Sequence, residues 1–153
     1  MNVEIKHMPQ LRVVAVRHVG AYNRISEAFG RLGDSAGRAG LLNEKTTMLA
    51  VYYDDPESTP EAELRSDAAL VVGEGVPLPD GTAEHRLPAG RYAHTLHVGP
   101  YEELGDAWGR FMGQWLAQSG ERLGLSHSYE IYLNTPMDVP KHELRTELYL
   151  SLV

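Results

Sequence analysis

Cysteine is absent from this 153-residue chain, which removes disulfides, thiolate metal ligands and a cysteine nucleophile together. The lack fits a reducing compartment. No apolar run approaches the roughly 20 residues needed to span a bilayer. The N-terminal MNVEIKHMPQ carries charges where a signal peptide needs its apolar segment, so a cytoplasmic protein without membrane contact is expected. Positive charge is scarce as well: 14 Lys plus Arg stand against 21 Asp plus Glu, a formal charge of −7. No cluster of Lys and Arg offers a stripe for a phosphate backbone, and direct nucleic-acid binding is not expected. The motifs GxSxG, GxxxxGKS/T, HExxH and GxGxxG are all missing. His94 and His97 lie three apart on an expected strand, hence on opposite faces, with no third ligand near in sequence. Neither a metal nor a cofactor is expected.

What is present is first of all tyrosine, eight residues against two Phe and two Trp. Tyrosine is amphipathic and suits a wet or ligand-facing wall as well as a core. The length is that of one ordinary domain, and within it the sequence repeats. HVGAYNRISEAFGR from His18 matches HVGPYEELGDAWGR from His97 at a shift of 79, with Arg12/Arg91, Gly20/Gly99, Tyr22/Tyr101, Gly30/Gly109 and Arg31/Arg110 among the identities. Downstream the shift becomes 80: VYYDDPESTPEAELRSD from Val51 matches IYLNTPMDVPKHELRTE from Ile131. The 1–153 domain is therefore expected to consist of repeat 1 (1–73) and repeat 2 (82–153), joined by a Gly/Pro-rich linker at 74–81.

Each repeat predicts a short strand (2–8; 83–88), a longer one (11–19; 91–98), a helix (22–39; 101–119) and two more strands (46–53 and 64–73; 128–134 and 143–152). Ile25, Phe29, Leu32 and Ala36, and Leu104, Trp108, Phe111 and Trp115, step i, i+4, i+7, i+11 along one helical face. The fold class is α+β: tandem β-α-β-β modules, each with antiparallel strands and one long helix, related by a pseudo-two-fold with a ligand groove at the junction. Strand alternation turns Leu144, Leu148, Leu150 and Leu152 toward the helix and, on the neighbouring strand, Tyr129, Ile131 and Leu133. Glu130, Tyr132, Glu147 and Tyr149 then share the helix-averted face, with Tyr52 and Asp67 in the first repeat.

Tyrosine faces attract cations and a partly desolvated carboxylate adds complementary charge, so this set suits a flat organic cation. Glu130 stands out because the repeat aligns it with Ala50 while Tyr132 aligns with Tyr52. A salt bridge needed by both modules would not vanish from one.

The VYYDDPESTPEAELRSDAALVV segment, the two HVGxY-to-helix segments and the SYEIYLN…ELRTELYL ending resemble the GyrI-like family over essentially the whole chain. This family is also known as the AraC effector-binding domain or the SbmC-type DNA gyrase inhibitor family. The resemblance implies two β-α-β-β modules side by side around a concave groove. In regulators of the family an acidic residue in an aromatic-lined pocket receives organic cations. The matching residue is Glu130 in YEIY, supported by Tyr132, with Glu147 and Tyr149 on the neighbouring strand; Tyr52 and Asp67, from the strand faces of the first repeat, and Trp108, on the helical core stripe, complete the candidate ligand-binding set. The chain begins directly at its first strand, so a stand-alone member without a helix-turn-helix domain is expected.

Three functions compete, the first motivated by the tyrosine and acid inventory and the other two by the resemblance. The first is a multidrug-type binding protein for amphipathic, cationic aromatic molecules. The second is hydrolysis of cyclopropane-bearing DNA-alkylating natural products, with Glu130 as the general base and Tyr132 or Tyr149 as the donor. The third is a toxin-protection protein with DNA gyrase as its partner.

Overall fold

The computed structural model describes residues 1–124 and 126–153. The chain runs β1 (Val3–Met8), β2 (Leu11–Val19), α1 (Ser26–Arg38), β3 (Met48–Tyr52), β4 (Arg65–Val71), β5 (Ala83–Leu87), β6 (Gly90–Val98), α2 (Leu104–Gly109), α3 (Leu116–Ser119), β7 (Ser128–Tyr132) and β8 (Arg145–Ser151). A π-helical stretch, Arg110–Trp115, joins α2 to α3 without a break. Single 3-10 turns at Tyr22–Arg24 and Tyr101–Glu103 lead into the helices. The fold is mixed α+β with antiparallel strands, as the periodicities require. The expected ends shift inward where the Pro-rich loops begin.

Two compact units emerge, Gln10–Pro88 and Met1–Pro9 with Ala89–Val153. Their boundaries differ from those of the sequence repeats because the first strands are exchanged. β1 pairs with β6, from Val3 opposite Thr95 to Met8 opposite Gly90, and β5 pairs with β2. The reason lies in the links Pro9–Gln10 and Pro88–Ala89. A two-residue hairpin needs a primed turn with positive φ, and proline is held near −65°. β1 therefore cannot fold back on β2, nor β5 on β6, and each continues to another partner.

The unit Gln10–Pro88 orders its strands β3-β4-β2-β5 and packs α1 on one face. Ala28, Leu32 and Ala36 of α1 meet Val14, Val16, Ala68 and Leu70, with Ile25 and Phe29 packed beside them. The other unit orders its strands β1-β6-β8-β7. There Leu104, Ala107 and Phe111 meet Ala93, Leu148 and Leu150, and Trp108, Trp115 and Tyr132 flank the cluster.

The segments between the glycines that bracket the helices differ by one residue. Gly20 and Gly40 bracket the first helical segment with φ of 124° and 72°; Gly99 and Gly120 bracket the second with 141° and 79°. The first span is 20 residues and the second 21, which is the change of shift from 79 to 80. A π turn accommodates one extra residue without breaking the helix, and the stretch Arg110–Trp115 lies within that span.

The register corrects the expected faces. Glu130 lies opposite Leu148 and Tyr132 opposite Thr146, while Tyr129 lies opposite Tyr149 and Ile131 opposite Glu147. Residues opposite one another share a face, so Glu130 and Tyr132 are on the Leu148 side, toward the helix. Glu147 and Tyr149 are on the other. The same holds in the first unit: Tyr52 opposes Ser66 on the α1 side, whereas Asp67 opposes Val51 on the averted side. The alternation in β3 and β7 misled because both sheet faces are apolar. Tyr129, on the averted face, is only 1% exposed, so burial did not mark the side facing the helix.

Candidate functional site

β7 contains a local conflict. Its sequence SYEIY suits a strand, yet it carries a carboxylate at its centre. Glu130 is 1% exposed, although glutamate is disfavoured in strands and expensive to bury. Two donors satisfy its oxygens. Trp108 Nε1–H donates to Oε2 at 2.8 Å, and Tyr132 O–H donates to Oε1 at 2.8 Å. Each element contributes for a structural reason. Trp108 rides on the face of α2 that packs on the sheet, four residues after the buried Leu104. Tyr132 is two residues beyond Glu130 on the same strand face, within reach of its neighbour's head group.

A third ring completes the cluster. Tyr101, just beyond Gly99, meets Tyr132 edge-on with centroids 5.5 Å apart. It is 37% exposed, so the outer surface of the cluster is aromatic while the carboxylate lies beneath. Burial raises the Tyr101 phenol above its ordinary pKa, and the negative charges of Glu130 and Asp138 raise it further. Trp108 is backed by Phe111, whose ring lies 5.8 Å away, and Phe111 in turn by Trp115 at 5.6 Å. Neither of these two donors carries a charge. They orient the carboxylate and offset part of the cost of burying it. Chemically, the arrangement is a buried carboxyl group behind a wall of π faces.

Of the expected site residues, Glu130, Tyr132 and Trp108 come together here. Tyr101 was absent from the expected set although it was visible as the Tyr22/Tyr101 identity following Gly20 and Gly99. Glu147 and Tyr149 form a separate group on the averted face with His94. The His94 Nε2 lies 2.6 Å from Glu147 Oε2, and Tyr149 O–H donates to the same oxygen at 3.3 Å. Tyr149 stacks on Tyr129 with centroids 5.0 Å apart, and burial pushes both phenols up. In the first unit, Asp67 accepts from Arg17 Nε at 2.7 Å and from the Tyr53 hydroxyl. Tyr52, on the opposite face, packs against Tyr22 at 4.7 Å.

The repeat alignment gives an internal comparison. Where the second unit has Glu130 and Trp108, the first has Ala50 and Phe29. Acceptor and donor are both missing there, while Tyr22 and Tyr52 keep the aromatic pair. The first unit therefore packs its helix on its sheet without a Glu–Trp contact.

The family profile described as the GyrI-like small molecule binding domain matches residues 1–153. A DNA gyrase inhibitor of Yersinia enterocolitica is 34% identical, with 85% of this chain and 84% of that protein covered. The crystal structure of the EcmrR C-terminal domain superposes with a TM-score of 0.83 at 19% identity, covering 99% of this chain and 97% of that one. A solved protein with tetraphenylphosphonium bound gives a TM-score of 0.67 at 10% identity, with 100% and 94% covered. At these identities the structural likenesses are of fold.

Proposed function

The chain belongs to the GyrI-like small-molecule-binding domain family, and from that membership and the Glu130 cluster we propose that it binds amphipathic aromatic cations. The carrying observation is the buried Glu130 carboxylate, held by the neutral donors Trp108 and Tyr132 at 2.8 Å each. A ligand touches the rings of Tyr101 and Tyr132 first and feels the carboxylate through them. A unit charge about 5 Å from that carboxylate gains roughly 3 kcal/mol at an effective dielectric near 20, and ring faces add about 0.5–2 kcal/mol. We read the two halves as tandem copies of one module, of which only the second acquired a charged recognition site. The solved tetraphenylphosphonium complex of a structural neighbour makes this ligand class reasonable.

Calorimetric titration with phenyltrimethylammonium and its neutral isostere tert-butylbenzene tests the reading. Glu130→Gln should weaken the cation tenfold or more and leave the neutral compound unchanged. Equal loss for both, or no binding of either to the folded protein, would overturn it.

Hydrolysis of a cyclopropane-bearing electrophile is less well supported, because both oxygens of Glu130 already accept hydrogen bonds. A base for water must reach that water, and here the carboxylate is held by its two donors at 1% exposure. Product beyond one equivalent per protein would revive that reading. Relatives named DNA gyrase inhibitor make gyrase a second partner to test; a supercoiling assay at large molar excess decides it.

A further inference from the structure

In the unit formed by Met1–Pro9 and Ala89–Val153 a second cleft lies apart from the Glu130 cluster. Its volume is about 340 Å³, and none of Glu130, Tyr132, Trp108 and Tyr101 lines it. Arg110, Gln114, Trp115 and Gln118 form one wall, and Asn2 and His97 contribute to the other. The first three belong to the π-helical stretch and Gln118 follows it by one turn.

The first unit has a direct contact near the corresponding position. Ser35 stands five residues before Gly40 as Trp115 stands five before Gly120. Its hydroxyl donates to the Asp80 carbonyl, tying α1 to the chain that leads into β5. In the second unit the chain leading into β1 takes part in lining a cleft instead, with an indole opposite it. The extra residue between Gly99 and Gly120 accompanies this difference.

Charge gives the cleft its character. The whole chain carries −7, yet no carboxylate is among the lining residues, and Arg110 is a lining cation. Arg110 makes no ion pair among the described residues. Its repeat partner Arg31 instead reaches back to the Arg17 carbonyl at 3.4 Å. Amide groups of Gln114, Gln118 and Asn2 supply neutral donors, and the indole of Trp115, packed on Phe111 at 5.6 Å, supplies a rigid flat surface.

We propose that this cleft is a second ligand site, selective for small aromatic carboxylates. The ring stacks on Trp115 and the carboxylate takes the Arg110 guanidinium, the geometry for which arginine is suited. The protein would then accept cations at Glu130 and anions here, on separate surfaces.

The probe is 2-naphthoate, with neutral 2-naphthamide as its control, followed through the Trp115 indole N–H signal by NMR and by calorimetry. Naphthoate should shift that signal saturably, and saturating phenyltrimethylammonium should not displace it. Arg110→Gln, at an exposed position, should weaken naphthoate about tenfold without changing naphthamide, and Arg110→Lys should recover part of the loss. Absence of a saturable shift, equal effects of Arg110→Gln on both probes, or displacement by phenyltrimethylammonium would each overturn the assignment.

Discussion

Trp108 on the helix and Glu130 on the strand are joined by a 2.8 Å hydrogen bond from the indole N–H to Oε2, and the repeat-related residues Phe29 and Ala50 lack both ends of it. A buried acceptor and its donor are present together in one unit and absent together from the other. Losing either alone leaves a buried polar group short of a partner, whereas losing both leaves an apolar contact of the kind the first unit has.

This relationship predicts non-additive stability. Trp108→Phe keeps the ring but removes the donor, and should cost about 1–3 kcal/mol. Adding Glu130→Ala to Trp108→Phe should cost less than the sum of the single changes by about 1 kcal/mol or more. Urea unfolding of the four proteins measures the coupling; additive costs would mean that the bond contributes nothing specific.

The opposite face predicts a contrast. Glu147→Gln and Tyr149→Phe alter a group turned away from Glu130, with His94 and Tyr129 as its neighbours. Affinity for phenyltrimethylammonium should change less than twofold in either variant. The 3.3 Å hydroxyl contact of Tyr149 is long, and its loss should cost no more than about 1 kcal/mol of stability.

Alkali should destabilise the protein. Burial raises the phenols of Tyr22, Tyr53, Tyr92, Tyr101, Tyr129 and Tyr149 above the ordinary 10.0. A phenol raised on folding keeps its proton longer in the native state. Its contribution to stability is whole below the unfolded value and is lost as pH rises through the folded one. Urea midpoints should therefore hold up to about pH 10 and fall above it, while phenolate absorbance appears later in the native than in the unfolded protein.

Deleting Gly113 should regularise the second helix. The residue is exposed and lies within the π stretch, and a helical glycine costs about 0.5–1 kcal/mol relative to alanine. The deletion restores the 20-residue spacing of Gly20 and Gly40. Because Trp108 precedes the stretch, the Glu130 contact should survive and phenyltrimethylammonium affinity should stay within about threefold. Loss of that affinity in a folded deletion variant would show that the bulge also positions Trp108.

The element order, the α+β class and the acid–tyrosine inventory could be read from sequence, because hydrophobic periodicity and proline or glycine punctuation are local signals. Glu130 stood out through Ala50 by comparing one half of the chain with the other. Strand faces were another matter. Period-two alternation says which residues of β7 share a face, but not which face meets the helix when Tyr129 and Leu148 are both buried on opposite sides. Only the hydrogen-bonded register with β8 decided that, joining Glu130 and Tyr132 to Trp108 and sending Glu147 and Tyr149 to His94. The exchange of β1 and β5 was likewise a tertiary decision, since each edge strand pairs with a strand far away in sequence, from Val3 opposite Thr95 and from Leu11 opposite Leu87. Its cause was still local: Pro9 and Pro88 forbid the tight turns that would have kept each strand beside its neighbour in sequence.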